Sequence, residues 1–175
     1  AYLPEGKTTC YILIEKFAPL PKDAYEKGVG VVTLDFGRQF PEIKITNYLE
    51  AIRNQNIKNK KGAMEITYVQ NGKILENSTS NIFIFKKDVL VTAKEGILRG
   101  TTRNLVLKLA KKKFKVEERE VDEKEFRNAS EVFLTGANKD VVSVVKIDGK
   151  KVGDGKVGKN TKVAMELFRE YYEKY

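Results

Sequence analysis

The chain holds no histidine, no tryptophan and a single cysteine among its 175 residues. Without histidine there is no Ser-His-Asp or Cys-His nucleophile pair, no histidine-bearing metal site and no imidazole acid or base. Cys10 alone cannot close an internal disulfide or build a thiolate cluster, a pattern that fits a reducing compartment and predicts a cytoplasmic protein. No apolar run approaches the roughly 20 residues of a membrane span, and no signal peptide is apparent. The proton-transfer group of an enzyme built this way is expected to be Lys, Tyr, Asp or Glu.

What is present is basic and globular. Lys and Arg number 33 against 24 Asp and Glu, a net charge of +9, with 41% hydrophobic residues. A basic balance raises the prospect of a nucleic-acid or phosphate-bearing partner. The lysine runs KNKKG at 58–62 and KKKFK at 111–115 are interleaved with acidic residues, however. Solvated faces and helix C-termini explain them equally well, so no nucleic-acid partner is expected.

Periodicity predicts short hairpins and scattered helices, without the regular strand-helix alternation of a doubly wound sheet. Thr9–Phe17 reads as a strand closed by the prolines of APLP, and 29–36 as a buried strand. A helix is expected to follow across ITNYLEAIRNQNIKNKKG, with Tyr48, Leu49 and Ile52 inward. Asn71-Gly72 and Lys87-Asp88 mark two hairpin turns. A helix from Thr101 or Thr102 to Lys113, strand-like 115–121, a short helix capped by Asp122, strands at 131–134 and 141–147, and a final helix over 161–175 complete the pattern.

Three places could carry chemistry. Lys44, just before a helix, alternates outward on a strand or serves as a Schiff-base amine. Glu76, in ILENSTSNIF, belongs to an ordinary loop or holds a proton on a ring nitrogen, with Ser78 and Thr79 as nearby donors. Thr101 and Thr102, after Gly100, cap a helix or form an anion cup with its free N–H groups. No GKS or GKT follows, so the last is not a P-loop. Together the three supply what a phosphorylated pyridine aldehyde requires: an amine, a ring-nitrogen partner and a phosphate cup.

The order of four segments, EIKITNYLEAI, GKILENSTSNIFIFKKDVLVT, ILRGTTRNLVLKLA and EVFLTGANKDVVSVVKIDGKKVGDGKVG, resembles the larger, C-terminal domain of the class IV aminotransferases. These are the fold type IV pyridoxal-phosphate enzymes, among them branched-chain aminotransferase, D-amino-acid transaminase and aminodeoxychorismate lyase. The resemblance implies an α+β fold of short hairpins and a mixed, barrel-like sheet with flanking helices. By motif, Lys44 matches the lysine that bonds the cofactor and moves the substrate proton, and Glu76 the carboxylate on the pyridine nitrogen. Thr101 and Thr102 match the phosphate-holding pair, while Ser78 and Thr79 fall in the stretch lining the cofactor. Arg38 matches an arginine near the cofactor pocket in some members. Gly136 and Ala137 match a Gly-Thr or Ser-Thr pair that completes phosphate and substrate-carboxylate contacts.

The match has departures. Ala137 lacks the usual hydroxyl, Lys139 brings an unexpected cation beside the pocket, and Ser143 replaces a common proline. Family members also begin with a smaller domain, so residues 1–21 are expected to be its last strand plus a linker, and 22–175 the large pyridoxal-phosphate domain. The resemblance implies transamination in the intact protein between an amino acid, of the branched-chain class, and 2-oxoglutarate, as a homodimer. Aminodeoxychorismate lyase and D-amino-acid transaminase activities are the alternatives. A basic binding module and an inactive fragment are others.

Overall fold

The computed structural model describes residue 6 and residues 9–174. After an extended segment, α1 (Lys22–Glu26) leads into β1 (Val29–Asp35), and α2 (Leu49–Arg53) and α3 (Gln55–Lys60) follow. The strands β2 (Glu65–Gln70), β3 (Lys73–Asn77), β4 (Asn81–Lys86) and β5 (Val89–Thr92) come next. Then come α4 (Thr101–Ala110), β6 (Lys115–Glu118), β7 (Val121–Asp122) and α5 (Glu123–Arg127). The chain closes with β8 (Glu131–Gly136), β9 (Asp140–Ile147), β10 (Lys150–Lys151) and α6 (Lys159–Tyr172). The fold is thus α+β, as expected.

One mixed sheet runs in the order β6-β5-β4-β8-β9-β1-β2-β3-β7, with β10 on β9. In a flat sheet β3 and β4 would lie ~24 Å apart, because four strands stand between them. The link from Asn77 to Asn81 reaches at most ~15 Å. The sheet therefore has to curl, and the Asn77 N–H reaching the Ser80 carbonyl at 2.8 Å tightens that corner.

Alternating side chains give the curled sheet two dry faces. Ile82, Ile84, Val132 and Leu134 join Val31, Val142 and Val144 in one cluster. Phe83, Phe85 and Phe133 point the other way, against Val106, Leu107 and Ala110 of α4 and Ala164 and Phe168 of α6. Phe83 stacks on Phe133 with ring centroids 4.8 Å apart.

Most pairings are antiparallel, but β1 runs parallel to β2 and β9, and β5 runs parallel to β6. Parallel neighbours need crossover connections. The crossover between β1 and β2 carries Lys44, and the one between β5 and β6 carries α4. Tight hairpins do the rest: Asn71 and Gly72 both take positive φ (51° and 70°), the two-residue turn that Asn-Gly favours.

Some expectations fail for physical reasons. Thr9–Phe17 is no strand: it pairs with no strand of the sheet and leaves Tyr11, Ile12, Leu13 and Ile14 exposed. Apolar alternation alone cannot make a strand without an edge to bond. The single helix expected after Lys44 is two short ones, broken at Asn54, whose side-chain amide bonds the Glu50 carbonyl at 2.8 Å. Leu49 and Ile52 face solvent rather than the core. Strand-like 115–121 is interrupted, and α6 starts at Lys159. Asp122 does stand at the N-cap of α5, but its carboxylate pairs with Lys73 at 2.6 Å instead of capping.

Asp148, in the turn after β9, fastens that turn to β1. It accepts from the Thr33 N–H and hydroxyl, both at 2.8 Å, and pairs with Arg127 at 2.8 Å. Burial alone would raise its pKa, but the Thr33 bonds and Arg127 outweigh that and hold it below the ordinary value. A carboxylate with a depressed native pKa stabilises the fold above its unfolded pKa, and that contribution fades as pH falls through the native pKa. Asp148→Asn is therefore expected to cost about 1–2 kcal/mol at pH 7. The deficit should shrink as pH falls below the ordinary aspartate value of about 3.9 and through the lower native one, as read by urea unfolding along an acid pH series.

Candidate functional site

Beyond β1 the chain turns back on itself through Arg38. Its guanidinium donates to the Pro41 carbonyl at 2.5 Å, the Ile43 carbonyl at 3.4 Å and Glu76 Oε1 at 2.7 Å. One side chain thus shapes residues 38–43 and fixes them to β3. Phe40 takes a positive φ of 55° at the bend. Lys44 follows in irregular chain rather than on a strand. Its ammonium is exposed and makes no hydrogen bond or ion pair among the described residues.

Glu76 lies near the end of β3, 4% exposed. One oxygen takes the Arg38 bond, and the other accepts from the Leu98 N–H at 2.9 Å and the Asn81 amide at 3.4 Å. Burial pushes its carboxyl above the ordinary value; the Leu98 N–H, Arg38 and Lys44 pull it back only in part. A buried carboxylate held this way is suited to bonding a protonated nitrogen.

The N-terminus of α4 forms a third wall. Gly100 supplies no capping side chain, so the first-turn N–H groups are left for a ligand. A Cβ at Gly100 would fall 2.5 Å from Asn81 Oδ1, so only glycine keeps this approach open. Two buried side-chain atoms of cavity-lining residues also lack partners, Arg103 Nε on α4 and Thr135 Oγ1 near the end of β8. Buried polar atoms without partners are costly. Together with the helix terminus, they mark a site shaped for an anion.

Arg38, Lys44, Glu76, Ser78, Thr79, Thr101, Thr102, Gly136 and Ala137 all line one cavity of about 280 Å³. Residues distant in sequence, from two crossovers, the β3–β4 link and the end of β8, are thereby brought together. Arg38 is the expected residue with the least freedom, since its guanidinium is occupied by Glu76 and two carbonyls. Leu98, Arg103 and Thr135 also line the cavity, beyond the expected set. Leu98 acts through its backbone, and no side-chain pattern reveals that. Arg103 in TTRN reads as an ordinary helix arginine, although it is 2% exposed and bonds the Ala93 carbonyl at 2.8 Å and Glu118 at 3.0 Å. Among the described residues no group of three or more Cys, Asp or Glu is placed to hold a metal, and no helix is long and apolar enough to cross a membrane.

An amine, a buried carboxylate and an anion cup facing one space can hold a phosphorylated ring compound and offer its carbonyl a nucleophile. Comparison with known proteins points the same way. The family model for amino-transferase class IV matches residues 2–147. A Methanocaldococcus jannaschii protein whose name proposes a branched-chain-amino-acid aminotransferase is 31% identical over 179 aligned positions, covering 97% of this chain and 61% of the relative. A Bacillus licheniformis D-alanine aminotransferase is 32% identical over 146 positions, covering 81% of this chain and 52% of the relative. The solved branched-chain amino acid aminotransferase of Thermobaculum terrenum, in its PLP form, superposes with a TM-score of 0.79 at 26% identity, covering 87% of this chain and 53% of that one. This chain therefore spans little more than half the length of the proteins it resembles.

Proposed function

Since the chain belongs to the class IV aminotransferases, we propose that its cavity binds pyridoxal phosphate and that the whole protein transfers an amino group from an amino acid to a 2-oxo acid. The observation that carries this is the convergence of Lys44, Glu76 and the α4 N-terminus on one cavity. The residues fit the cofactor. Free N–H groups at α4 and the unpartnered Thr135 hydroxyl suit a phosphate, Glu76 suits a protonated ring nitrogen, and Lys44 suits a carbonyl carbon. When bound, pyridoxal phosphate supplies an electron sink for the pair left as the substrate's α-proton departs.

The chain's own side chains supply the rest. Lys44 Nζ would hold the cofactor covalently and, once released, would take the proton from the substrate's α-carbon and deliver it to the cofactor carbon that Lys44 had bonded. Glu76 keeps a proton on the ring nitrogen, and Arg38 and the Leu98 N–H keep Glu76 in place. Thr101, Thr102, Gly136 and Ala137 bind phosphate or the substrate carboxylate, Ala137 through its N–H alone. Ser78 and Thr79 line the cofactor.

We favour a branched-chain amino acid as donor, supported by the names of the M. jannaschii and T. terrenum proteins, and take 2-oxoglutarate as the acceptor. The B. licheniformis relative supports D-alanine as the second candidate. Incubating the cofactor-loaded protein with L-leucine or D-alanine and assaying the 2-oxo acid released decides between them. No product from either amino acid would reject transamination of both. A homodimer in the cytoplasm and a domain boundary near residues 21 and 22 belong to the same proposal. The boundary is supported by the start of α1 at Lys22, directly after Pro21.

Gly100 offers a sharp check on the anion cup. Gly100→Ala forces Asn81 Oδ1 aside and with it the bonds to Glu76 and the Leu98 carbonyl. Overpacking of this kind should weaken pyridoxal phosphate binding by about tenfold or more. An absorbance titration measures it, and unchanged affinity would remove the α4 terminus from the phosphate site.

A further inference from the structure

Lys139 is the cation that family resemblance does not explain, and it is not part of the cavity lining. It is 9% exposed, at the turn that joins Gly136 and Ala137 to β9. Its ammonium donates to the Thr79 hydroxyl at 2.9 Å and the Asn138 side chain at 3.2 Å, and pairs with Glu65 at 3.2 Å.

Glu65, 2% exposed, opens β2 directly behind the β3–β4 link. It accepts from the hydroxyls of Ser78 and Thr79, both at 2.5 Å, and more distantly from the Thr79 N–H and the Ser80 hydroxyl. Neutral donors alone therefore satisfy this carboxylate. Lys139 adds two other things: a tie between the cavity's two wall segments, and a positive charge against Glu65. An uncompensated carboxylate behind the wall would repel an anion in the cavity, and low-dielectric surroundings would screen that repulsion poorly.

We propose that Lys139 is a positioning residue that neutralises Glu65 behind the cavity wall and thereby sets the site's affinity for a phosphorylated ligand over its unphosphorylated counterpart. The proposal rests on the pyridoxal-phosphate reading of the cavity. It assigns Lys139 no contact with the ligand. The charge balance of the pair, more than its packing, is what the cavity depends on.

Lys139→Met, Lys139→Arg and the double variant Glu65→Gln/Lys139→Met separate these effects. Pyridoxal phosphate and pyridoxal are titrated into each protein by absorbance, below its melting temperature. Lys139→Met should weaken the phosphorylated ligand by roughly tenfold relative to pyridoxal. Lys139→Arg should stay near the parent, and the double variant, again without net charge at the pair, should recover most of the discrimination. A purely structural role would lower melting temperature and weaken both ligands alike, which overturns the proposal, as does a double variant no better than Lys139→Met. If the parent protein binds no pyridoxal phosphate, the functional reading fails. Protection against thermal unfolding by inorganic phosphate then decides the charge effect, which is refuted if Lys139→Met retains the full protection.

Discussion

Lys44→Ala is expected to lower turnover by about 10⁴-fold or more and to abolish the absorbance of lysine-bound pyridoxal phosphate. Lys44 is the only lysine among the described residues lining the cavity. The arginines that share the lining stay protonated and cannot replace it as a nucleophile. Histidine, the usual substitute for proton transfer, is absent from the chain. The loss should be chemical rather than structural, because the side chain is exposed and unpartnered among the described residues. Such substitutions usually change stability by no more than about 0.5 kcal/mol. Urea unfolding should therefore be unchanged while turnover collapses, and a small primary amine added to the assay should restore a fraction of the rate. Turnover close to that of the parent would remove Lys44 from its role.

Glu76→Gln should be the next most damaging change, slowing turnover by about 10²–10³-fold while leaving some cofactor bound. The carboxylate accepts on both oxygens, from Arg38 on one side and from Leu98 and Asn81 on the other. A carboxamide has one acceptor oxygen, so its NH₂ must face donors on one of those sides. It also carries no charge to keep a proton on a ring nitrogen. The pH dependence has a definite sign. Because burial holds the Glu76 pKa above the ordinary glutamate value in the ligand-free protein, binding of pyridoxal phosphate should weaken as pH falls through that raised value and the carboxylate is lost. The same raised pKa means that the ligand-free fold loses stability as pH rises through the native value. Turnover and the pH dependence of pyridoxal phosphate binding in parent and variant provide the check, and an unchanged rate with an unchanged binding profile would detach Glu76 from the chemistry.

The parts of this architecture written in local chemistry were readable from the sequence. Asn71-Gly72 set a hairpin because those residues tolerate positive φ, and NIFIFKKDVLVTA marked a second hairpin, formed by β4 and β5. Gly100 before TTRN announced an open helix terminus. What could not be read depends on distant partners. Thr9–Phe17 has a strand's pattern but no paired edge, and Leu49 and Ile52 have a helix's pattern but no surface to cover. The curl that places β3 beside β4 follows from sheet order, which no single segment encodes. The candidate site divides the same way. Its nine expected residues were found through motif order, whereas the Leu98 N–H, the buried Arg103 and the Glu65–Lys139 pair emerge only when separate segments meet.

The most direct test is chemical trapping. The protein is incubated with pyridoxal phosphate, reduced with borohydride and digested, and the labelled peptide is identified by mass spectrometry. A single phosphopyridoxyl group on Lys44, formed in the parent and absent from Lys44→Ala, is the predicted result. Label spread over the surface lysine runs at 58–61 and 111–115, with none concentrated at Lys44, would contradict it.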